Sequence, residues 1–305
     1  MKAFLARRLL HAVASLVVLL AVVFIVSRLA GDPVNLYLPL NASEEDRESL
    51  RQSWGLDRSL PEQLLAFGAD LLRLDLGESL WIGRPALELV LERLPATLLL
   101  GALAGIASIS VALALGMAAA VRPRSLFDRS ATALSLVASS LPDFWLALML
   151  ILVFAIGLGW VPTSGSGGPE FLILPVIALS VRPIGMLTQM VRTSVRESLA
   201  APFITTARAK GLAEWRILVH HTLRNSLIPV LTVGGDLLIQ MLNGAVIIET
   251  VFGWPGIGKL TIDAIGHRDF ALIQASVIVV AAIVFVVNLL LDVSYAVLDP
   301  RIRLQ

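Results

Sequence analysis

The sequence predicts an all-α polytopic membrane protein with six transmembrane helices, and two compositional observations indicate this class before any motif is considered. Apolar residues make up 57% of the 305-residue chain and charged residues only 15%, against about 45–50% and about 25% in soluble domains. The mean hydropathy is +0.83. The net charge is +1 and no basic stretch is interleaved with aromatic residues, which argues against a nucleic-acid binder. Because cysteine is absent, disulfides, thiolate nucleophiles and Cys-ligated metals are excluded.

A membrane-spanning helix needs about 20 largely apolar residues. The first apolar run follows Lys2, Arg7 and Arg8 as in a signal peptide, but its core of about 18 residues exceeds the 7–15 of a signal sequence. We therefore interpret this run as a membrane anchor. The six predicted spans are Leu9–Ser27, Pro95–Val121, Ala133–Leu158, Phe171–Val191, Leu227–Ile248 and Ile273–Leu298.

The distribution of lysine and arginine predicts the orientation of these spans. With six spans, 14 of the 24 basic residues fall on the side of the two termini and nine on the other side. Seven of the nine lie in the loop 28–94, which is too long to count fully under the positive-inside rule. We expect both termini to be cytoplasmic. The predicted parts are an N-terminal anchor helix at 1–30, an outer helical subdomain at 31–94, a five-helix core at 95–298 and a cytoplasmic tail at 299–305.

The predicted cytoplasmic loop 192–226 has features of a docking element. Pro202 suits the first turn of a helix, Gly211 suits a left-handed C-terminal cap, and a second helix should begin near Glu214. Ala207 and Gly211 are four residues apart, so both should lie near one face and leave room for the backbone of another protein. A basic cytoplasmic loop is also ordinary in membrane proteins, but the small residues, the glycine and the fixed distance to Pro229 favour docking.

Several stretches carry a family resemblance in the correct order along essentially the whole chain. The run ARAKGL at 207–212, with Pro229 eighteen residues beyond Gly211, resembles the "EAA" loop of ABC-importer permeases. The chain more narrowly resembles the B-type permease subunit of the dipeptide, oligopeptide, nickel and glutathione importers. The further supporting stretches are WGLDRSLPEQ, RLPATLLLG, LPDFWLALMLILVFAIGLGWVPTSG, HTLRNSLIPVLT, NGAVIIETVFGWPGIGKL and NLLLDVSYAVLDPRIR.

The resemblance implies a type I ABC-importer permease fold in the bacterial inner membrane, with a periplasmic subdomain at 31–94. It implies four kinds of partner: a second homologous permease, two ATPase subunits that bind ATP and magnesium, a periplasmic or lipoprotein solute-binding protein, and membrane lipid. The chain itself should hold no cofactor or metal and have no catalytic residues. Phe203 stands where the family usually has Tyr, and Ile204, Thr205 and Thr206 replace the acid and alanines of the general motif. The implied ATPase contacts are Phe203, Ala207, Arg208, Lys210, Gly211 and Glu214.

Ionisable groups inside the bilayer are costly and indicate functional sites. Arg182 lies near the middle of the fourth predicted span and Asp236 well inside the fifth. One interpretation is that the two pair with each other; the other is that either or both line the translocation path, where the guanidinium would attract a peptide carboxylate and the carboxylate an amino end. The additional polar candidates for such a path are Gln189, Gln240 and Asn243.

Two readings from other classes compete with the importer. Residues 253–259 match GxxxxGK, but Leu260 stands where a phosphate-binding loop needs Ser or Thr, and the run lies between two predicted spans. An ion-gradient-driven secondary transporter is the other alternative, although no inverted repeat is visible. Within the importer family, peptides are the first expectation for the substrate, with nickel chelates, glutathione or sugars as alternatives.

Overall fold

The computed structural model describes residues 14–15, 17–26, 34, 38, 43–53 and 55–298, and over these ranges the secondary structure is helical apart from one isolated bridge, Glu78 to Pro85. The predicted tail 299–305 and the basic residues before the first span lie outside the described ranges. The helices are α1 Val17–Val26, α2 Glu44–Ser53, α3 Leu60–Leu72, α4 Ala86–Val121, α5 Leu126–Ser140, α6 Asp143–Leu150, α7 Glu170–Leu199, α8 Pro202–Ala209, α9 Glu214–Arg216, α10 Arg224–Phe252, α11 Ile257–Gly266 and α12 Phe270–Leu298; π-helical turns at Ile151–Gly157 and Ile217–Leu223 follow α6 and α9.

Four helices among the described residues are long and apolar enough to cross a membrane: Ala86–Val121, Glu170–Leu199, Pro229–Phe252 and Phe270–Leu291. A fifth candidate is the pair α5 and α6, whose axes meet at 103°. The predicted span Ala133–Leu158 is therefore bent, because α5 ends at Ser140 and Pro142 precedes α6. Proline has no N–H for a helical hydrogen bond and disfavours helix in the residue before it. Helix α1 covers most of the described part of the first predicted span.

The chain divides into two compact units. Unit 1 comprises the described residues of Met1–Pro95 together with Gly256–Phe285. Its core packs the start of α4 against α11 and the first turns of α12. Asp269 is buried in this unit and accepts hydrogen bonds from the Ser79 hydroxyl and the Trp81 N–H.

Unit 2 comprises Ala96–Pro255 with the described residues from Val286 onward. Helix α7 is its centre, and it packs against α5, α6 and α10. A Cβ at Gly185 would lie 2.5 Å from the Ser135 carbonyl oxygen, so the backbones of α7 and α5 approach as closely as they do only because this residue is glycine. Arg192 forms a two-point ion pair with the buried carboxylate of Asp128, which ties the end of α7 to the first turn of α5.

Candidate functional site

The loop between α7 and α10 folds into a helix–turn–helix element of α8 and α9. Pro202 stands in the first turn of α8, where its missing N–H costs nothing. Gly211 follows the helix with φ of +74°. The Gly211 N–H donates to the Arg208 carbonyl at 2.9 Å and the Leu212 N–H donates to the Ala207 carbonyl at 3.3 Å. This pair of bonds is the Schellman arrangement that closes a helix, so the predicted start and stop of α8 are both present.

The element has a small apolar core of its own. Ile204 and Ile217 are fully buried and Ala207 is 6% exposed, with Leu212 packed against them. Ala207 therefore faces the interior of the loop, and the expectation that it shares an open face with Gly211 does not match this structure. Its small side chain instead lets α8 pack closely beside the turn that leads into α9. Gly211 is exposed, and a Cβ built there meets no atom within 4 Å.

The exposed side of the element carries charges and rings. The Arg208 guanidinium donates to both carboxylate oxygens of Glu214, with N–O distances of 2.8 and 3.2 Å. These bonds lower the pKa of Glu214 and raise the pKa of Arg208. Phe203 and Lys210 are exposed nearby, and Trp215 is 61% exposed. Five of the six predicted contact residues thus reach the surface: Phe203, Arg208, Lys210, Gly211 and Glu214.

A second group of polar side chains lies on α10, within a candidate span. Asp236, Gln240 and Asn243 are exposed at spacings of four and three residues, so they occupy one face of the helix. A charged or amide side chain that faces hydrocarbon is costly, and such residues usually face a protein neighbour or a water-filled cavity. This face of α10 therefore fits a contact with protein or water better than a contact with lipid.

Arg182 of α7 lies in a cavity together with Gln240 of α10 and Asp143, the first residue of α6. The expected pairing of Arg182 with Asp236 is absent, since no ion pair joins these two described residues, and Asp236 does not line the cavity. The carboxylate residue that lines this cavity with Arg182 is Asp143, and no ion pair joins these two described residues. Gln189 is half-buried on α7 and lies outside this cavity. Sequence reasoning missed Asp143, although a carboxylate inside the predicted span Ala133–Leu158 is the same signal that singled out Asp236.

The local fold around residues 253–259 differs from that of a phosphate-binding loop. These residues connect helix α10 to helix α11, whereas such a loop connects a strand to a helix. The Lys259 ammonium group donates to the Asp263 carboxylate at 2.6 Å within α11.

The described residues contain several helices apolar enough to cross a membrane, a compact element between two of them, and a polar face on one of them. This combination fits a helical membrane transport component. The chain belongs to the family described as the inner membrane component of binding-protein-dependent transport systems, whose profile matches residues 112–304. It is a permease subunit of an ABC importer and a multi-pass protein of the bacterial inner membrane.

Relatives of nearly the same length match the chain from end to end. The oligopeptide transport system permease protein AppB of Bacillus subtilis is 36% identical over 99% of this chain and 100% of its own length. A probable peptide ABC transporter permease of Sinorhizobium fredii, y4tP, is 36% identical over the same shares of the two chains.

Two solved structures share the fold. A chain of the inward-facing MetNI methionine ABC transporter superposes with a TM-score of 0.59 at 18% identity, covering 69% of this chain and 96% of that one. A chain of an amino acid ABC transporter solved with histidines gives a TM-score of 0.52 at 20% identity, covering 70% and 94%. At these identities the likeness shows the fold alone.

Proposed function

We propose that this permease subunit imports small peptide-like solutes and forms half of their translocation pathway. Two full-length relatives carry oligopeptide and peptide permease names, which supports peptides over the nickel, glutathione or sugar alternatives. A second, homologous permease supplies the other half of the pathway. A solute-binding protein delivers the solute on the outer side, where the subdomain 31–94 is a candidate contact.

The polar face of α10 supports a pathway between two permeases. Asp236, Gln240 and Asn243 are exposed on this chain by itself, and a second subunit or an aqueous path would spare them contact with lipid. Arg182 and Gln189 on α7 complete the proposed pathway residues.

The observation that carries the coupling role is the α8–α9 element, which is structured, exposed and placed between two candidate spans. We assign it to the cytoplasmic side, in agreement with the distribution of basic residues. Its own core of Ile204, Ala207 and Ile217 makes it stiff enough to transmit a push or pull. Two ATPase subunits, which hold ATP and magnesium, dock on its exposed residues Phe203, Arg208, Lys210, Gly211 and Glu214. Closure of the ATPases on ATP then drives the spans between inward-open and outward-open states.

Co-purification from native membranes tests this assignment. Lys210→Glu reverses an exposed charge on the element without touching its core, and Arg129→Glu makes the same reversal at an exposed site on α5. Wild type and Arg129→Glu should recover a second permease and ATPases, whereas Lys210→Glu should recover the second permease with several-fold less ATPase. Recovery of the chain alone from all three in mild detergent, with uptake that needs no ATP, would instead support an ion-gradient-driven transporter.

A further inference from the structure

The cavity in unit 2 is small, about 20 Å³, and open to its surroundings, and it is lined by residues of opposite charge. It is lined by Asp143 of α6, Arg182 of α7 and Gln240 of α10, with Leu179, Pro183 and Leu237 among its apolar walls. Asp143 and Arg182 are half-buried and Gln240 is exposed. Three helices of one compact unit therefore each contribute a charged or amide residue to the lining of one space.

The backbone around the cavity supports these positions. Asp143 lies in the first turn of α6, directly after the break at Pro142, where the positive end of the helix dipole favours a carboxylate. Its Oδ2 atom lies 3.4 Å from a Cβ built at Gly244, so the carboxylate lies close against α10. Pro183 follows Arg182 and has no N–H to donate to the Leu179 carbonyl, which leaves that oxygen without its usual helical donor, and both Pro183 and Leu179 line the cavity.

The two charges interact but do not neutralise each other by direct contact. The Arg182 guanidinium acts electrostatically on Asp143, yet no ion pair joins them among the described residues, whereas Arg192 and Asp128 in the same unit do close on each other. Intramembrane charges normally seek partners. Two opposite charges that share a cavity and remain apart are complementary to a ligand that carries both signs.

We propose that the open mouth of this cavity is a subsite for the charged groups of a zwitterionic peptide-like solute whose body lies outside it, in which Arg182 receives the carboxylate and Asp143 the ammonium group; the inference rests on the proposed function. Arginine suits this task because its planar fork binds a carboxylate through two parallel hydrogen bonds. The Gln240 amide, which both donates and accepts, is placed to bind the peptide bond.

The test uses the complete importer in proteoliposomes and three probes: L-alanyl-L-alanine, its C-terminal amide and its N-acetyl derivative. ATP-dependent uptake is measured for wild type, Arg182→Gln and Asp143→Asn with one preparation of binding protein. For each variant, the ratio of free-peptide uptake to blocked-peptide uptake is divided by the same ratio for wild type. The preference of the binding protein cancels in this comparison. Arg129→Gln and Glu170→Gln remove the same charges from exposed positions on α5 and α7 and serve as controls.

The proposal predicts a crossed pattern. Arg182→Gln should lose at least about tenfold of the preference for the free carboxylate, since even one charge-assisted hydrogen bond contributes this much, and should keep its preference for the free amine. Asp143→Asn should show the reverse, the controls should match wild type, and Arg182→Lys should recover part of the loss.

Equal discrimination by wild type and both neutral variants would overturn the subsite while leaving the importer intact. Failure of both neutral variants to assemble with the ATPases would assign the two charges to structure and also overturn it. A wild-type complex that hydrolyses ATP but imports none of the three probes would contradict the peptide assignment itself.

Discussion

Replacement of Gly211 tests whether the α8–α9 element depends on a left-handed turn. The φ of +74° costs a residue with a Cβ about 1–2 kcal/mol. Because a Cβ at this position meets no atom within 4 Å, steric clash adds nothing, and the whole penalty of Gly211→Ala is backbone strain. Asparagine tolerates the left-handed region better than alanine, so Gly211→Asn should cost less and serves as the matched variant.

Hydrogen exchange of the intact protein measures this penalty at the amides of Gly211 and Leu212, which close the Schellman turn. If the loop opens and closes faster than its open state exchanges, a decrease of about 1–2 kcal/mol in the free energy of opening corresponds to about 5–30-fold faster exchange. Gly211→Ala should show this acceleration within the loop and wild-type rates in α4, with Gly211→Asn in between. Wild-type exchange in Gly211→Ala, or equal effects of the two variants, would refute the reasoning.

Three further predictions concern packing, a buried ion pair and pH. Gly185→Ala should destabilise the protein by about 1–3 kcal/mol through overpacking, whereas Gly101→Ala, where a Cβ meets nothing within 4 Å, should be neutral or stabilising; thermal unfolding in detergent compares them. Asp128→Asn should lower the free energy of unfolding by about 3–5 kcal/mol in the same assay, because it leaves the partly buried Arg192 charge without its partner. A decrease below about 1 kcal/mol would contradict this. The lowered pKa of Glu214 means that its ion pair stabilises the loop fully above the ordinary pKa of 4.5, and that this stabilisation is lost as pH falls through the lower folded pKa. Hydrogen exchange of the loop, corrected for intrinsic rates, should therefore be constant from pH 8 to pH 6 and become faster only in acid. Faster exchange near pH 7 would contradict this prediction.

Local chemistry was sufficient to predict the ends of α8. Pro202 and Gly211 each have a conformational preference that acts within a few residues, and the structure places both as expected. The direction of the Ala207 side chain could not be predicted locally, because its burial depends on Ile217, which packs into the same cluster after the turn. A spacing of four residues shows which residues share a face but not what that face contacts.

The third predicted span shows a conflict between two signals. Residues 133–158 are apolar enough for one crossing, and a hydropathy window averages over Pro142 without registering it. The local rule for proline indicated a helix boundary there, and the structure follows the local rule with the 103° bend between α5 and α6.

For the charged residues inside the predicted spans, too, the sequence was sufficient for one part of the prediction and not for the other. Sequence was sufficient to select Arg182 and Gln240 as unusual, since polar groups in an apolar run are visible by composition. It was not sufficient to decide that Arg182 shares a cavity with Asp143 and not with Asp236, because that depends on how α6, α7 and α10 pack.

The most direct test of the coupling assignment is cysteine cross-linking to the ATPase subunits, which the absence of native cysteine makes clean. Single cysteines at Phe203 and Lys210, both exposed, should cross-link to an ATPase in native membranes, and the yield should change when ATP is added. Ala207→Cys, buried in the core of the element, should not cross-link in the same membranes. Equal yields from all three positions, or no ATPase product from either exposed position while uptake remains intact, would contradict docking at α8.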